Sequence, residues 1–65
     1  METQLEIKYD HTAGAWTDGT NYVSGTVIRR YAIYRLGRKD PRGRLSKEEI
    51  ARYFKDAYGV IADVR

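Results

Sequence analysis

The sequence contains no cysteine, only one histidine and only one proline. Without cysteine the chain can form neither a disulfide framework nor a thiolate metal site, and a single histidine excludes the usual structural zinc sites. No apolar run approaches the length of a membrane span or of a signal-peptide core. We therefore expect a cytoplasmic protein that has no membrane contact, no metal and no cofactor.

The 65 residues predict a single small domain. A domain of this size buries only about 60% of the surface that its unfolded chain exposes, so its stability is expected to be marginal. Six tyrosines, one tryptophan and one phenylalanine supply large aromatic surfaces that could be buried within the chain or against a second copy. We therefore predict a homodimer.

Two patterns that could carry catalysis lack the residues that catalysis needs. Tyr9, Asp10 and His11 place an imidazole beside a carboxylate, which is the arrangement of a general base. No serine or cysteine nucleophile with supporting context accompanies them, so we expect a solvated loop histidine. The glycine-rich residues 14–25 have neither the Walker nor the dinucleotide-binding spacing. The prediction is a non-enzymatic protein.

The segment from Leu45 to Gly59 carries the start and stop signals of an amphipathic helix. Ser46 is a good N-cap, and Glu49, three residues later, can complete a capping box with it. Gly59 can adopt the left-handed conformation that closes a helix. We predict a helix from Ser46 to Tyr58 whose apolar stripe consists of Ile50, Ala51, Phe54, Ala57 and Tyr58.

Three segments carry strand patterns. Apolar and charged residues alternate over residues 3–10, which is the period of a strand with one buried face. Asp18-Gly19 predicts a short hairpin between Ala15–Thr17 and Thr20–Val23, although an ordered loop pinned by Trp16 fits the same composition. The apolar residues 60–64 predict a last strand inside the sheet.

Residues 26–36 fit two secondary structures. Their β-branched and aromatic side chains favour a strand. Ile28, Ala32 and Leu36 nevertheless lie on one helical face, and Gly37 could close a helix. We predict a strand, with a helix as the alternative. The resulting fold is α+β, a small mostly antiparallel sheet of three to four strands crossed by one helix, in the order β-β(-β)-α-β.

The positive charge is concentrated between residues 29 and 44. This segment has seven basic residues and one acid, a net charge of +6, whereas the rest of the chain has five basic residues and eight acids, a net charge of −3. Six of the seven are arginines, which suit bidentate contact with phosphate or carboxylate. The seven are Arg29, Arg30, Arg35, Arg38, Lys39, Arg42 and Arg44.

Aromatic residues are interleaved with these cations. If residues 26–36 form a strand, Arg29 and Arg35 share a face with Tyr31, while Arg30 shares the other with Tyr34. Arginine interleaved with tyrosine suits phosphate contact combined with base stacking, so we predict nucleic-acid binding by the basic segment. The alternatives are a solvated edge strand whose charges prevent aggregation, and a protein-binding inhibitor or adaptor of the mobile-element or phage type. Such an adaptor would bind an acidic protein surface, with Trp16 among its anchors.

Overall fold

The computed structural model describes residues 5–65, which contain four strands and two helices joined by loops. The predicted α+β class is confirmed, but the prediction of one helix is wrong, because residues 26–36 add a second. In chain order the elements are β1 (Leu5–Asp10), β2 (Ala15–Thr17), β3 (Tyr22–Val23), α1 (Gly25–Arg35), α2 (Lys47–Tyr58) and β4 (Ala62–Val64).

The sheet has the strand order β3-β2-β1-β4 and is mixed. β1 pairs with β2, and β2 with β3, in antiparallel orientation, whereas β4 pairs with β1 in parallel. β4 is thus an edge strand, and its predicted place inside the sheet is wrong. The first strand was predicted to begin at residue 3, but residues 3 and 4 lie outside the described part of the chain.

Two hydrogen-bonded turns connect the antiparallel strands. After β1, the Asp10 carboxylate accepts hydrogen bonds from the amides of Thr12 and Ala13. Between β2 and β3, the Asp18 carboxylate accepts hydrogen bonds from the amides of Thr20 and Asn21. The predicted hairpin is present, but four residues connect its strands instead of Asp18-Gly19 alone, so β3 begins at Tyr22 and not at Thr20. Burial opposes ionisation of Asp18, but these bonds outweigh it and lower its pKa below the ordinary 3.8.

The prediction of a strand over residues 26–36 is wrong. Ser24 caps α1, since its side chain accepts a hydrogen bond from the Val27 amide. Ile28 and Ala32, one helical turn apart, are both fully buried. At the other end, Gly37 has φ +73°, and the Arg38 amide donates to the Ala32 carbonyl. Two buried positions and two end signals therefore prevail over the strand propensity of the segment.

The second helix has the predicted capping structure. The Glu49 amide donates to Ser46 Oγ at 3.1 Å, and the Ser46 amide donates to Glu49 Oε1 at 2.8 Å. Gly59 closes the helix in the left-handed conformation, with φ +69°. Ile50 and Phe54 are buried as predicted, but Ala57 and Tyr58 of the predicted stripe are exposed, and Tyr53 packs against the core instead.

Both helices contribute to the core on one face of the sheet, where α2 packs beside β4 and α1 packs against α2. Ile7 and Val23 from this face join Ile28, Ile50 and Phe54 from the helices in one buried cluster. Trp16 is paired with Val23 across the strands, so it lies on the same face at the margin of the core. Among residues 5–65 there is no helix long and apolar enough to cross a membrane.

Candidate functional site: a basic groove beside an aromatic row

The seven basic residues of the predicted site lie on α1 and on the loop of residues 36–46 that leads to α2. Two of them, Arg29 and Arg38, are partly buried and hydrogen-bonded to the protein itself. The other five are exposed to solvent. These are Arg30 and Arg35 on α1, and Lys39, Arg42 and Arg44 in the loop.

Arg38 ties the loop together from its centre. Its Nε donates to the Asp40 carbonyl at 2.6 Å, and its Nη2 donates to the Arg44 carbonyl at 2.8 Å. Its Nη1 forms an ion pair with Glu49 in the first turn of α2. The side chains of Arg38 and Glu49 are only 11% and 14% exposed. All three nitrogens of the guanidinium are therefore occupied, and Arg38 positions the loop rather than a ligand.

Arg29 extends from α1 toward the same loop. Its Nη2 donates to the Gly43 carbonyl at 3.2 Å, and this contact fixes the loop against the helix. Its Nε is buried and has no acceptor among residues 5–65. Arg29 thus combines a structural contact with an N–H donor that the described protein atoms leave unsatisfied.

The two tyrosines of the predicted site differ in their availability. The Tyr31 hydroxyl donates to the Asp56 carboxylate on α2, and its ring lies edge-on to Tyr53 with the centroids 5.3 Å apart. Burial and the adjacent Asp56 raise the pKa of Tyr31. Arg35 lines a shallow depression beside these two residues. Tyr31 is therefore engaged between the helices, whereas Tyr34 is 82% exposed.

The helical form of residues 26–36 changes which side chains share a face. Arg30 and Tyr34, four residues apart, do lie on one outward face of α1 with Val27. Arg29 faces the loop instead and is separated from the depression that contains Tyr31 and Arg35. The predicted cations and aromatics consequently do not form one continuous surface.

A groove of about 500 Å³ opens where the sheet meets the N-terminal ends of both helices. Three aromatic residues lie in a row along its sheet side. Tyr9 is edge-on to Trp16, with the ring centroids 5.3 Å apart, and edge-on to His11, with the centroids 5.0 Å apart. We call Trp16, Tyr9 and His11 the aromatic row. The register that pairs Tyr9 with Trp16 across β1 and β2 brings the rings together.

Basic residues line the rest of the groove. Arg29 comes from α1, Arg44 from the loop, Lys47 from the first turn of α2, and Arg65 from the residue after β4. Arg65 also lies 3.8 Å from the exposed carboxylate of Glu6, measured from Nε to Oε2. None of the described residues that line the groove is Asp or Glu. The groove thus offers cations and aromatic rings, a combination that suits an anionic ligand carrying an aromatic ring.

Sequence reasoning identified Arg29, Arg44 and Trp16 but missed the other polar groove residues. His11 was expected to be a solvated loop residue, and although it is exposed, it belongs to the aromatic row. Tyr9 was considered only as a residue of the first strand and of the Tyr9-Asp10-His11 pattern. Lys47 and Arg65 lie outside the basic segment, so charge counting could not find them. The one available signal was the spacing of Tyr9, two residues after Ile7 in the same strand, which places both side chains on the same face of the sheet.

No group of three or more histidine, cysteine or carboxylate side chains within residues 5–65 could hold a metal ion. Comparison with known proteins finds no family model, no curated protein and no solved structure that matches this chain.

Proposed function

We propose that this protein binds nucleic acid through the basic groove and the exposed cations of the adjoining loop. The observation that carries the proposal is the groove itself, because Arg29, Arg44, Lys47 and Arg65 line it and none of its described residues is Asp or Glu. Phosphates supply a dense row of negative charge, and basic side chains gain affinity by releasing the counterions condensed on them.

The loop extends this positive surface beyond the groove. Lys39 and Arg42 are exposed, and Arg44 belongs to both the loop and the groove. The hydrogen bonds of Arg38 to the carbonyls of Asp40 and Arg44 hold the loop in a defined shape. A preorganised loop loses less conformational entropy when it binds, which favours affinity. A phosphate backbone can therefore contact the groove and the loop at once.

A specific observation supports the alternative function of a protein-binding inhibitor or adaptor. The outward face of α1 carries Arg30 between two exposed residues, Val27 at 44% and Tyr34 at 82% exposure. Tyrosine and arginine are enriched among the residues that dominate protein interfaces. This face is distinct from the groove, so substitutions can separate the two functions.

The dependence of affinity on salt tests the nucleic-acid proposal. Fluorescence anisotropy would measure the binding of labelled mixed-sequence DNA and RNA between about 50 and 300 mM salt, and four to six phosphate contacts give a log–log slope of roughly −3 to −5. Changing Lys39, Arg42 and Arg44 together to Gln should flatten this slope by about 2 to 3. Arg38 stays unchanged, because its contacts are structural.

The control removes two exposed cations outside this surface by changing Lys8 and Lys55 to Gln. Both are exposed, and neither lines the groove or belongs to the loop. We expect this variant to keep most of the wild-type slope. If the wild type binds neither DNA nor RNA at about 50 mM salt, where phosphate contacts are strong, the nucleic-acid function is wrong. If the wild type instead binds a partner protein and Tyr34→Ala abolishes that binding, the adaptor function is favoured.

A further inference from the structure

We infer that the groove binds an unpaired nucleotide of a single strand, with its base against the aromatic row and its phosphates on the surrounding cations. This inference rests on the proposed function and specifies the form of nucleic acid that is bound. The additional observation is the aromatic row, which places three rings inside a groove lined by basic residues.

The aromatic row is held in place before any ligand arrives. Trp16 is half-buried against the core, and Tyr9 lies edge-on to it. Tyr9 nevertheless remains 41% exposed, and His11 at the end of the row is exposed as well. A fixed and partly exposed ring is a stacking platform that needs little ordering upon binding. The row thus combines Trp16, which packs against the core, with two exposed rings, and this combination suits base stacking.

The groove geometry favours an unpaired base over a duplex. In a duplex each base is covered by its neighbours, and a protein reaches only the base edges in the grooves. Rings inside a concave site can stack only on a base that has left the stack. The volume of about 500 Å³ lies within the range of sites that enclose small ligands, so it is sufficient for one nucleotide.

The cations are placed to contact the phosphates on either side of such a base. Arg44 and Lys47 come from the loop and the start of α2, whereas Arg65 follows β4. The Arg65 side chain is exposed, and its ion-pair partner among residues 5–65 is Glu6 at 3.8 Å, so a phosphate can compete for it. Arg29 on α1 adds positive charge at the groove wall, while its Nη2 donates to the Gly43 carbonyl. Cations from four parts of the chain, namely α1, the loop, α2 and the residue after β4, thus line the groove that contains the aromatic row.

Trp16 is the only tryptophan of the chain, so its emission reports directly on the groove. The full chain would be titrated with a single-stranded oligothymidylate of about 12 nucleotides, with the matching duplex and with thymidine monophosphate. We expect the single strand to bind at least about tenfold more tightly than the duplex and to change the emission of Trp16. The monophosphate should bind far more weakly than the strand, because it makes fewer phosphate contacts.

Matched tyrosine variants test the role of the aromatic row. Tyr9→Leu keeps an apolar side chain without a ring and should weaken single-strand binding roughly 5- to 100-fold with little change in salt slope. Tyr22→Leu is the control, since Tyr22 is 56% exposed on the opposite face of the sheet. Tyr9→Phe should retain most of the affinity. If Tyr9→Leu does not fold, His11→Ala tests the same row at an exposed position.

The outcomes distinguish this inference from the proposed function. Equal, salt-dependent binding of duplex and single strand without a change in Trp16 emission would overturn the inference and leave nucleic-acid binding intact. Equal effects of Tyr9→Leu and Tyr22→Leu would also overturn it. Thymidine monophosphate that binds as tightly as the strand would identify a site for free nucleotides instead. The absence of any binding to DNA or RNA would overturn the inference and the proposed function together.

Discussion

Replacing Arg38 with Ala should destabilise the protein far more than an ordinary substitution in a surface loop. The change removes two hydrogen bonds to the carbonyls of Asp40 and Arg44 and the ion pair with Glu49. Glu49, whose side chain is only 14% exposed, then loses its ion-pair partner in a poorly hydrated place. Removing one partner of a buried ion pair costs about 3 to 5 kcal/mol.

The lower end of this range applies, because water still reaches about one-tenth of each side chain. We therefore expect Arg38→Ala to lower the free energy of unfolding by about 3 kcal/mol. In a domain of this size each kcal/mol corresponds to roughly 4 to 8 °C, so the melting temperature should fall by about 12 to 24 °C. Urea and thermal unfolding can both be followed by the fluorescence of Trp16.

Two further variants separate the ion pair from the loss of an ordinary surface residue. Lys39→Ala removes the neighbouring exposed cation and should change stability by no more than about 0.5 kcal/mol. The double change of Arg38 to Ala and Glu49 to Gln should be less destabilising than the sum of its parts by about 1 kcal/mol or more, because the uncompensated carboxylate is gone. Additive effects, or equal melting of Arg38→Ala and Lys39→Ala, would refute the role assigned to Arg38.

The remaining predictions concern the α2 caps, one tyrosine and self-association. Ser46→Ala should lower the free energy of unfolding by about 1 kcal/mol. Gly59→Val should lower it by more, since valine is strained at φ +69°. Unchanged midpoints of urea unfolding in both variants would contradict this. Burial and Asp56 raise the pKa of Tyr31 above 10.0, so its contribution to stability is complete below about pH 10 and is lost as the pH rises through the folded-state pKa. Across that pH range, the free energy of unfolding of Tyr31→Phe should therefore change less with pH than that of the wild type. We expect a dimer at high micromolar concentration, and a monomer mass by light scattering would exclude it.

The two helices show which parts of the fold can be predicted from sequence. The signals for α2 are local, since Ser46, Glu49 and Gly59 each occupy a position where their own chemistry sets a helix end. The structure therefore confirms its bounds to within one residue. Local signals of this kind do not depend on what the helix packs against.

The first helix could not be predicted in the same way because its signals conflict. Its first turn contains no acidic residue, and its apolar side chains are distributed around the helix, with Val27 exposed and Ile28 buried. A helix whose apolar residues do not form one stripe has no clear period in sequence. Its conformation depends on the burial of Ile28 and Ala32 against the rest of the protein, which is a tertiary effect.

The site was predictable as a charged segment but not as a surface. Counting charges treats the seven cations of residues 29–44 as equivalent, yet Arg38 is occupied by two carbonyls and Glu49. The groove meanwhile recruits Lys47 and Arg65 from outside the segment. The number of cations that can contact a ligand therefore depends on which guanidinium groups form hydrogen bonds or ion pairs within the protein. Those contacts are set by tertiary packing and cannot be read from the sequence.

The hydrogen bonds of Arg29 and Arg38 give both arginines a structural role beside the proposed binding surface. Both arginines donate hydrogen bonds to loop carbonyls, and these bonds hold the segment that contains Lys39, Arg42 and Arg44. An internally bonded arginine can therefore increase affinity by fixing exposed cations in position. The basic residues of this segment thus have two roles. Arg29 and Arg38 order the loop, and the exposed cations are available to the phosphate backbone of the proposed ligand.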